Sequence, residues 1–224
     1  MTRAKFFITQ PGETLYNQLN KVQGWSDTPL SSKGTEDAIT LGHYLSHINF
    51  TKIYCSDSRR AIDTAHLIKK SAPSNAPVIP DSRLREWCYG SLEGDPYKKV
   101  NRIINRDLSI SDISSLNLHL PQICQVFKNA DTSGWAEDFS AIEKRLKSFL
   151  SGTIRNSSDK YCNILVVSHS YTIKTLLYLY GKDFLGSINQ IDNLSISTLI
   201  YDNGTFHFEE VNTMSHRPEL TKYY

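Results

Sequence analysis

At 224 residues, with 39% hydrophobic, 21% charged and 11% aromatic side chains, the chain has an ordinary globular composition and can bury a sizeable core. Its 25 basic and 23 acidic residues leave a formal charge of +2, too balanced for a surface built to neutralise nucleic acid or a membrane, so any basic site must be local. Cys55, Cys88, Cys124 and Cys162 are widely spaced and form no CxxC pair, which argues against a zinc site or disulfide framework and for free thiols in a reducing compartment.

The first apolar run follows Lys5 and is only about four residues long, too short for a signal-peptide core. No apolar stretch approaches the roughly 18–20 residues of a membrane span. The sequons at Asn49, Asn156, Asn193 and Asn203 are therefore read as chance matches, and a cytoplasmic location is expected. Residues 4–9 predict a strand. Residues 31–48 predict a helix, because Ala38, Leu41, Leu45 and Ile48 recur at helical spacing behind Ser31 or Ser32 as N-cap. A second strand is expected at 51–56 and a second helix at 58–70, closed off by the proline-rich "SAPSNAPVIPDS" loop with a short strand at Val78-Ile79.

Residues 95–150 predict mostly helix, with a polar, less regular patch at 109–115. "NILVVS" at 163–168 is a continuous apolar run, as expected of a strand covered on both faces, and a helix ending at Gly181 follows. "SISTLIYD" and "TFHFEEV" are joined by Asn203-Gly204, a pair suited to a type I′ hairpin turn. Strands alternating with helices point to an α/β three-layer sandwich with a mostly parallel central sheet flanked by helices. There is no internal repeat and no convincing linker, so residues 1–224 are expected to form a single domain.

Sheets of this kind bind ligands at the carboxyl ends of their strands. That rule picks out residues 9–14, 56–60 and 168–170, each at a turn or helix start where free backbone N–H groups attract anions. Arg59-Arg60 reads comparably as solvated surface or as an anion contact, since a guanidinium fork suits phosphate oxygens. His169, directly after a buried strand, is a candidate for proton or phosphate chemistry. Glu86 reads equally as an exposed loop glutamate or as a general acid whose pKa is raised by Trp87 and Tyr89. The other histidines lie away from these mouths and are treated as structural. The odd residue is Pro11, which enters a phosphate-type turn with no side chain able to attack, accept a proton or bind a metal.

Four ordered segments resemble the histidine phosphatase superfamily, the phosphoglycerate mutase-like proteins. "QPGETLYNQLNKVQGWSDTPLSSKGTEDA" is similar to its opening loop, with Gly-Glu-Thr, Asn17 and Gln23-Gly-Trp in place. "YCSDSRRAIDTA" places Arg60 in the arginine position, "LREWCYGSLEG" places Glu86 in the acid position, and "ILVVSHSYTI" places His169 in the second-histidine position. The resemblance spans residues 4–212. It implies a phosphoglycerate mutase-like fold with a variable helical cap at about 95–135, a hydrolase closer to the phosphatase than the mutase branch, and no cofactor or metal.

It also implies a phosphate pocket formed by Gln10, Asn17, Gln23, Arg60 and His169, taking a phosphorylated small molecule or a phosphate or sulfate ion, with catalytic positions at Pro11, Glu86 and His169. Nucleic-acid and membrane partners are not expected. An exposed strand near the C-terminal hairpin could pair two subunits as a homodimer.

The family pattern has Arg-His where this chain has Gln10-Pro11. The resemblance makes that histidine the nucleophile, which becomes a phosphohistidine, and makes the arginine a clamp on the transferring phosphoryl group. Three readings follow. The first is a pseudophosphatase that keeps a phosphate-binding pocket but is catalytically impaired. The second is an active phosphatase or mutase in which His169 attacks, or Glu13 orients water. The third is a structural or interaction protein with no ligand. Lys98, Lys99 and Arg102 are candidates for a second anionic contact, although a solvated helix face describes them better.

Overall fold

A computed structural model describes residues 3–72, 74–108, 116–157 and 160–216. Among them six strands, β1 (Arg3–Thr9), β2 (Lys52–Cys55), β3 (Val78–Pro80), β4 (Tyr161–Val167), β5 (Ile196–Asp202) and β6 (Thr205–Thr213), form one sheet in the order β3-β2-β4-β1-β5-β6. β3, β2, β4 and β1 run parallel, while β5 and β6 add an antiparallel edge. The parallel strands are apolar on both faces because both faces are covered.

Alternation along β4 shows the division. Ile164 and Val166 join Phe6 and Tyr54 under the helices α4 (Tyr97–Leu108), α5 (Leu120–Ala130), α6 (Phe139–Arg155) and α7 (Ser170–Tyr180). Leu165 and Val167 join Ile53 and Cys55 under α2 (Ser32–Tyr44) and α3 (Arg59–Ser71). Two single-turn helices, α1 (Leu15–Gln18) and α8 (Lys182–Leu185), are also present among the described residues. No helix among the described residues is long and apolar enough to cross a membrane.

The expected elements are present, with shifted ends. The helix expected over 31–48 stops at Tyr44 and tightens into a 3₁₀ turn at Leu45–His47. Its cap is Ser31 rather than Ser32, with the hydroxyl accepting from the Gly34 N–H at 3.0 Å. The expected helical region at 95–150 is interrupted, since residues 131–138 form a loop between α5 and α6. The polar patch at 109–115 lies outside the described residues. Asn203 and Gly204 have φ of 50° and 86°, the left-handed pair a type I′ turn requires.

The turn after β1 sits directly on the first turn of α2. A Cβ added at Gly12 would meet the Gly34 carbonyl oxygen at 2.4 Å, and one added at Gly34 would meet the Glu13 carbonyl oxygen at 2.2 Å. The Ser31 N–H donates to the Glu13 carbonyl at 2.8 Å and the Ser31 hydroxyl donates to the Glu13 carboxylate at 2.6 Å. This backbone contact fixes where the turn points. Gly12→Ala should cost ~2 kcal/mol by overpacking, a fall of roughly 4–8 °C in Tm for a chain this size. Gly152→Ala is the control. It lies within α6, where the added Cβ meets only the tip of Arg83 at 3.5 Å, so calorimetry should show no loss of stability.

Candidate functional site

A cavity of about 590 Å³ opens at the carboxyl ends of β1, β2 and β4, the mouth the topology favours. Gln10, Pro11, Asn17, Gln23, Arg60, Glu86 and His169 all line it, so every residue expected at the site is brought to one place. α4 and α5 close its outer side through Tyr97, Val100, Ile104, Ile123 and Phe127.

Arg60, in the first turn of α3, is 3% exposed, and acceptors engage both of its terminal nitrogens. One terminal nitrogen donates to the Ser26 carbonyl at 2.9 Å and the Asp27 carboxylate at 3.0 Å. The other donates to the Gly24 carbonyl at 2.8 Å and to His169 Nδ1 at 3.1 Å. The 24–26 segment presenting those carbonyls is itself held by Glu93. That carboxylate accepts from the N–H groups of Gly24, Trp25, Ser26 and Tyr89 at 2.9–3.1 Å, and from the Ser26 hydroxyl at 2.6 Å. Arg59 turns away and pairs with Asp63 at 2.8 Å, which resolves the double arginine into one surface residue and one site residue.

Arg60 also dictates the state of His169. A guanidinium only donates, so Nδ1 must be the accepting nitrogen and the ring proton lies on Nε2. Burial, and then the Arg60 charge, hold this imidazole well below its ordinary pKa, so it is neutral. Nε2 lies 3.4 Å from the Ser58 hydroxyl.

Glu86 is buried, not an exposed loop residue. Its Oε1 accepts from the N–H groups of Trp87 and Thr172, both at 3.0 Å, and from the Thr172 hydroxyl at 3.2 Å, while Oε2 accepts only from the Tyr171 N–H at 3.0 Å. Desolvation raises its pKa, opposed by those N–H groups and by Arg60. Any proton it carries therefore belongs on Oε2, whose lone pairs are the less used. Arg145 on α6 secures the segment, donating to the carbonyls of Arg83, Arg85 and Glu86 at 2.7–3.1 Å and to the Glu137 carboxylate at 2.9 Å.

The expectation of free N–H groups at the three mouths is corrected for part of them. At α7 the Tyr171 and Thr172 N–H groups are taken by Glu86. At α3 the Arg59 N–H is taken by Asp27. In the β1 turn Gly12 N–H goes to the Thr64 hydroxyl at 3.2 Å and Thr14 N–H goes to Asn17 Oδ1 at 3.0 Å. Side chains thus occupy several of the places where a ligand's oxygens were expected.

The turn residues are likewise committed. Gln10 Nε2 donates to the Ile191 carbonyl, and the Pro11 carbonyl accepts from Asn193 Nδ2 at 2.8 Å. Asn17 closes a capping box with Thr14 at the start of α1. Gln23 bridges the hydroxyls of Thr14 at 2.7 Å and Thr28 at 2.9 Å. Glu13, considered as a water-orienting group, binds Ser31 and Gln18 instead and does not line the cavity. Lys98, Lys99 and Arg102 do not line it either, and Lys99 pairs with Asp95 at 2.7 Å. A further cation lines it beside Arg60: Lys174, which the sequence does not single out, any more than it does Asp27, Glu93 and Arg145.

The family model described as "Histidine phosphatase superfamily (branch 1)" matches residues 7–214. The crystal structure of a phosphoglycerate mutase from Bacillus anthracis superposes with a TM-score of 0.89 at 28% identity, covering 97% of this chain and 96% of that one. An adenosylcobalamin/alpha-ribazole phosphatase of Salmonella typhimurium is 30% identical over 77% of each chain. A phosphoserine phosphatase of Entamoeba histolytica, crystallised as a histidine-to-alanine mutant in complex with phosphoserine, superposes with a TM-score of 0.70 at 25% identity, covering 96% of this chain and 99% of that one.

The neutral His169 makes a prediction with a definite sign. Below pH 6.5, the ordinary imidazole pKa, the unfolded chain takes up a proton that the folded chain refuses, so this residue's contribution falls as pH falls. The stability difference between wild type and His169→Gln should shrink by about 1.4 kcal/mol between pH 7.5 and pH 5.5. Chemical denaturation at the two pH values reads it, and an unchanged difference would refute the assigned state.

Proposed function

We propose that this chain, which belongs to the histidine phosphatase superfamily, binds a phosphorylated small molecule and has lost the covalent step of phosphoryl transfer. The observation carrying this reading is Gln10-Pro11 at the mouth of β1, facing the neighbourhood of Arg60, Glu86 and His169. Phosphohistidine formation needs an imidazole lone pair in line with the leaving oxygen. Proline has none, and knocking out a covalent nucleophile costs on the order of 10⁴–10⁶ in rate in other enzymes.

Among the described residues, neither His169 nor a cysteine is poised to replace it. The accepting nitrogen of His169 is held by Arg60, and its other nitrogen carries the proton, so attack would require a tautomer change and a broken hydrogen bond. None of the cysteines lines the cavity, and burial pushes the Cys55 and Cys124 thiols up to about 12, far from a thiolate at neutral pH. With glutamine in the clamp position, the pocket also has one cation fewer to stabilise a phosphoryl group in flight.

Binding is a lesser demand than turnover. His169 Nε2–H is a neutral donor and Arg60 supplies the positive field beside it, which suits a bound phosphomonoester. The phosphoserine phosphatase with a histidine replaced by alanine still holds phosphoserine in its crystal, which supports separating retention of a phosphoester from its hydrolysis in this fold.

The test is phosphate release from p-nitrophenyl phosphate by wild type and by the double variant Gln10→Arg with Pro11→His, alongside calorimetric titration of both with phosphoserine. Wild type should match buffer, and the double variant should gain on the order of 10²-fold or more. Wild-type turnover comparable to an ordinary phosphatase would overturn the loss of chemistry. Absence of any phosphoester binding would overturn the pocket.

A further inference from the structure

Among the described residues, Arg60 and Lys174 are the arginine and lysine side chains that line the cavity. Lys174 lies on α7 and is 7% exposed. Its nitrogen donates to the Asn189 carbonyl at 3.3 Å and sits 5.2 Å from the centre of the Tyr171 ring. The two carboxylates lining the same cavity are engaged elsewhere. Glu86 accepts from the N–H groups of Trp87, Tyr171 and Thr172, while Asp192 accepts from Gln190 Nε2 at 2.7 Å and Asn212 Nδ2 at 3.0 Å. Buried Val100, Ile104, Ile123 and Phe127 supply apolar wall. A cation placed there has lost water and gained one long hydrogen bond, which favours the neutral amine.

Burial lowers the lysine's pKa to about 8, with the Glu86 charge opposing it. At pH 7.5 roughly a quarter of such groups carry a free lone pair, against roughly one in a thousand for an ordinary lysine, a gain on the order of 10² in reactive amine. The surrounding chain sets what that amine can meet. The segment 189–193 supplies the Asn189 carbonyl that Lys174 binds, the Ile191 carbonyl that Gln10 binds, and Asn193, which holds the Pro11 carbonyl. One wall thus runs from the vacated nucleophile position to the lysine, and a ligand anchored at His169 by its phosphate can extend along it.

We propose that Lys174 is a carbonyl-capturing amine, which forms an imine with a phosphomonoester that bears an aldehyde. This rests on the reading of Arg60 and His169 as the phosphate subsite. The amine lone pair adds to the carbonyl carbon, and a proton passes from nitrogen to the carbonyl oxygen, giving a carbinolamine. Its hydroxyl then takes up a proton and leaves as water while the nitrogen lone pair forms the C=N bond. Glu86, whose charge Lys174 feels and whose Oε2 accepts only from the Tyr171 N–H, is the group lining the cavity that can relay this proton. No oxidant or reductant enters the step, and the apolar wall holds off the water that would hydrolyse the imine.

Reductive trapping with cyanoborohydride, followed by peptide mass spectrometry of the full chain, tests this directly. The probes are D-glyceraldehyde 3-phosphate and pyridoxal 5′-phosphate, which differ in reach, and unphosphorylated D-glyceraldehyde. At least one phosphorylated probe should label Lys174 about 10-fold or more above the exposed lysines, through its larger share of free amine and the anchoring of the phosphate. Inorganic phosphate should suppress that label, and D-glyceraldehyde should label Lys174 about 10-fold less. Lys174→Arg keeps the charge but stays protonated, so the label at this position should vanish. If label spreads over surface lysines and spares Lys174 while calorimetry still shows phosphoserine binding, the imine is overturned and the phosphate pocket stands. If D-glyceraldehyde labels Lys174 equally and inorganic phosphate gives no protection, the phosphate pocket fails and the phosphorylated ligand falls with it.

Discussion

The site depends on a guanidinium whose two terminal nitrogens send their protons into the protein. Arg60 is enclosed by the carbonyls of Gly24 and Ser26, the carboxylate of Asp27 and one nitrogen of His169. Because arginine cannot be deprotonated under ordinary conditions, each of these contacts has a fixed sense. The sense of the last one makes His169 neutral and puts its proton on the nitrogen away from Arg60. Glu93 reaches this centre only indirectly. By gathering the N–H groups of residues 24–26 it aims their carbonyls at Arg60, so a carboxylate on a loop distant in sequence determines the tautomer of a histidine.

A proline can occupy the reactive position without dismantling the turn because the turn is held by other groups. Gly12 and Gly34 bring two backbones into contact, Thr14 and Asn17 cap each other, and Asn193 reaches across to the Pro11 carbonyl. None of these interactions uses a side chain at position 11. Only the neighbouring Gln10 side chain contributes, through the Ile191 carbonyl, which an uncharged amide can serve. Scaffold and chemistry are therefore separable at this site, which is the physical condition for a family member to keep its fold while losing its nucleophile.

The sequence disclosed the elements whose cause is local. The apolar run of β4, the helical spacing of α2 and the Asn203-Gly204 turn all follow from neighbours in the chain, and the strand-end rule alone brings Arg60 and His169 to the same edge of the sheet. The motif residues were legible as positions but not as states. Glu86 could be read as exposed because its burial comes from the start of α7, more than eighty residues later. Arg145 and Glu93 were missed because what they bind is backbone remote in sequence, and backbone acceptors leave no trace in side-chain pattern. Lys174 was hidden for another reason. In a helix as apolar as α7 a single lysine suggests a snorkelling surface residue, and only the packing of α4, α5 and the 189–193 segment around it turns it into a cavity wall.

These states also set how the pocket can gain affinity. At the phosphate end the positive charge of Arg60 is partly cancelled by Asp27 at 3.0 Å, His169 is uncharged, and the clamp position holds a glutamine. Such an end can orient a phosphate through donors, but it offers little net charge to draw one out of water. The remaining positive charge in the cavity sits on α7, under-compensated and walled by apolar side chains. An enzyme that must stabilise a transition state concentrates charge at phosphorus, because only interactions strengthened during the reaction raise the rate. A protein that only retains its ligand has no such requirement, and charge displaced from the reacting centre serves it equally well.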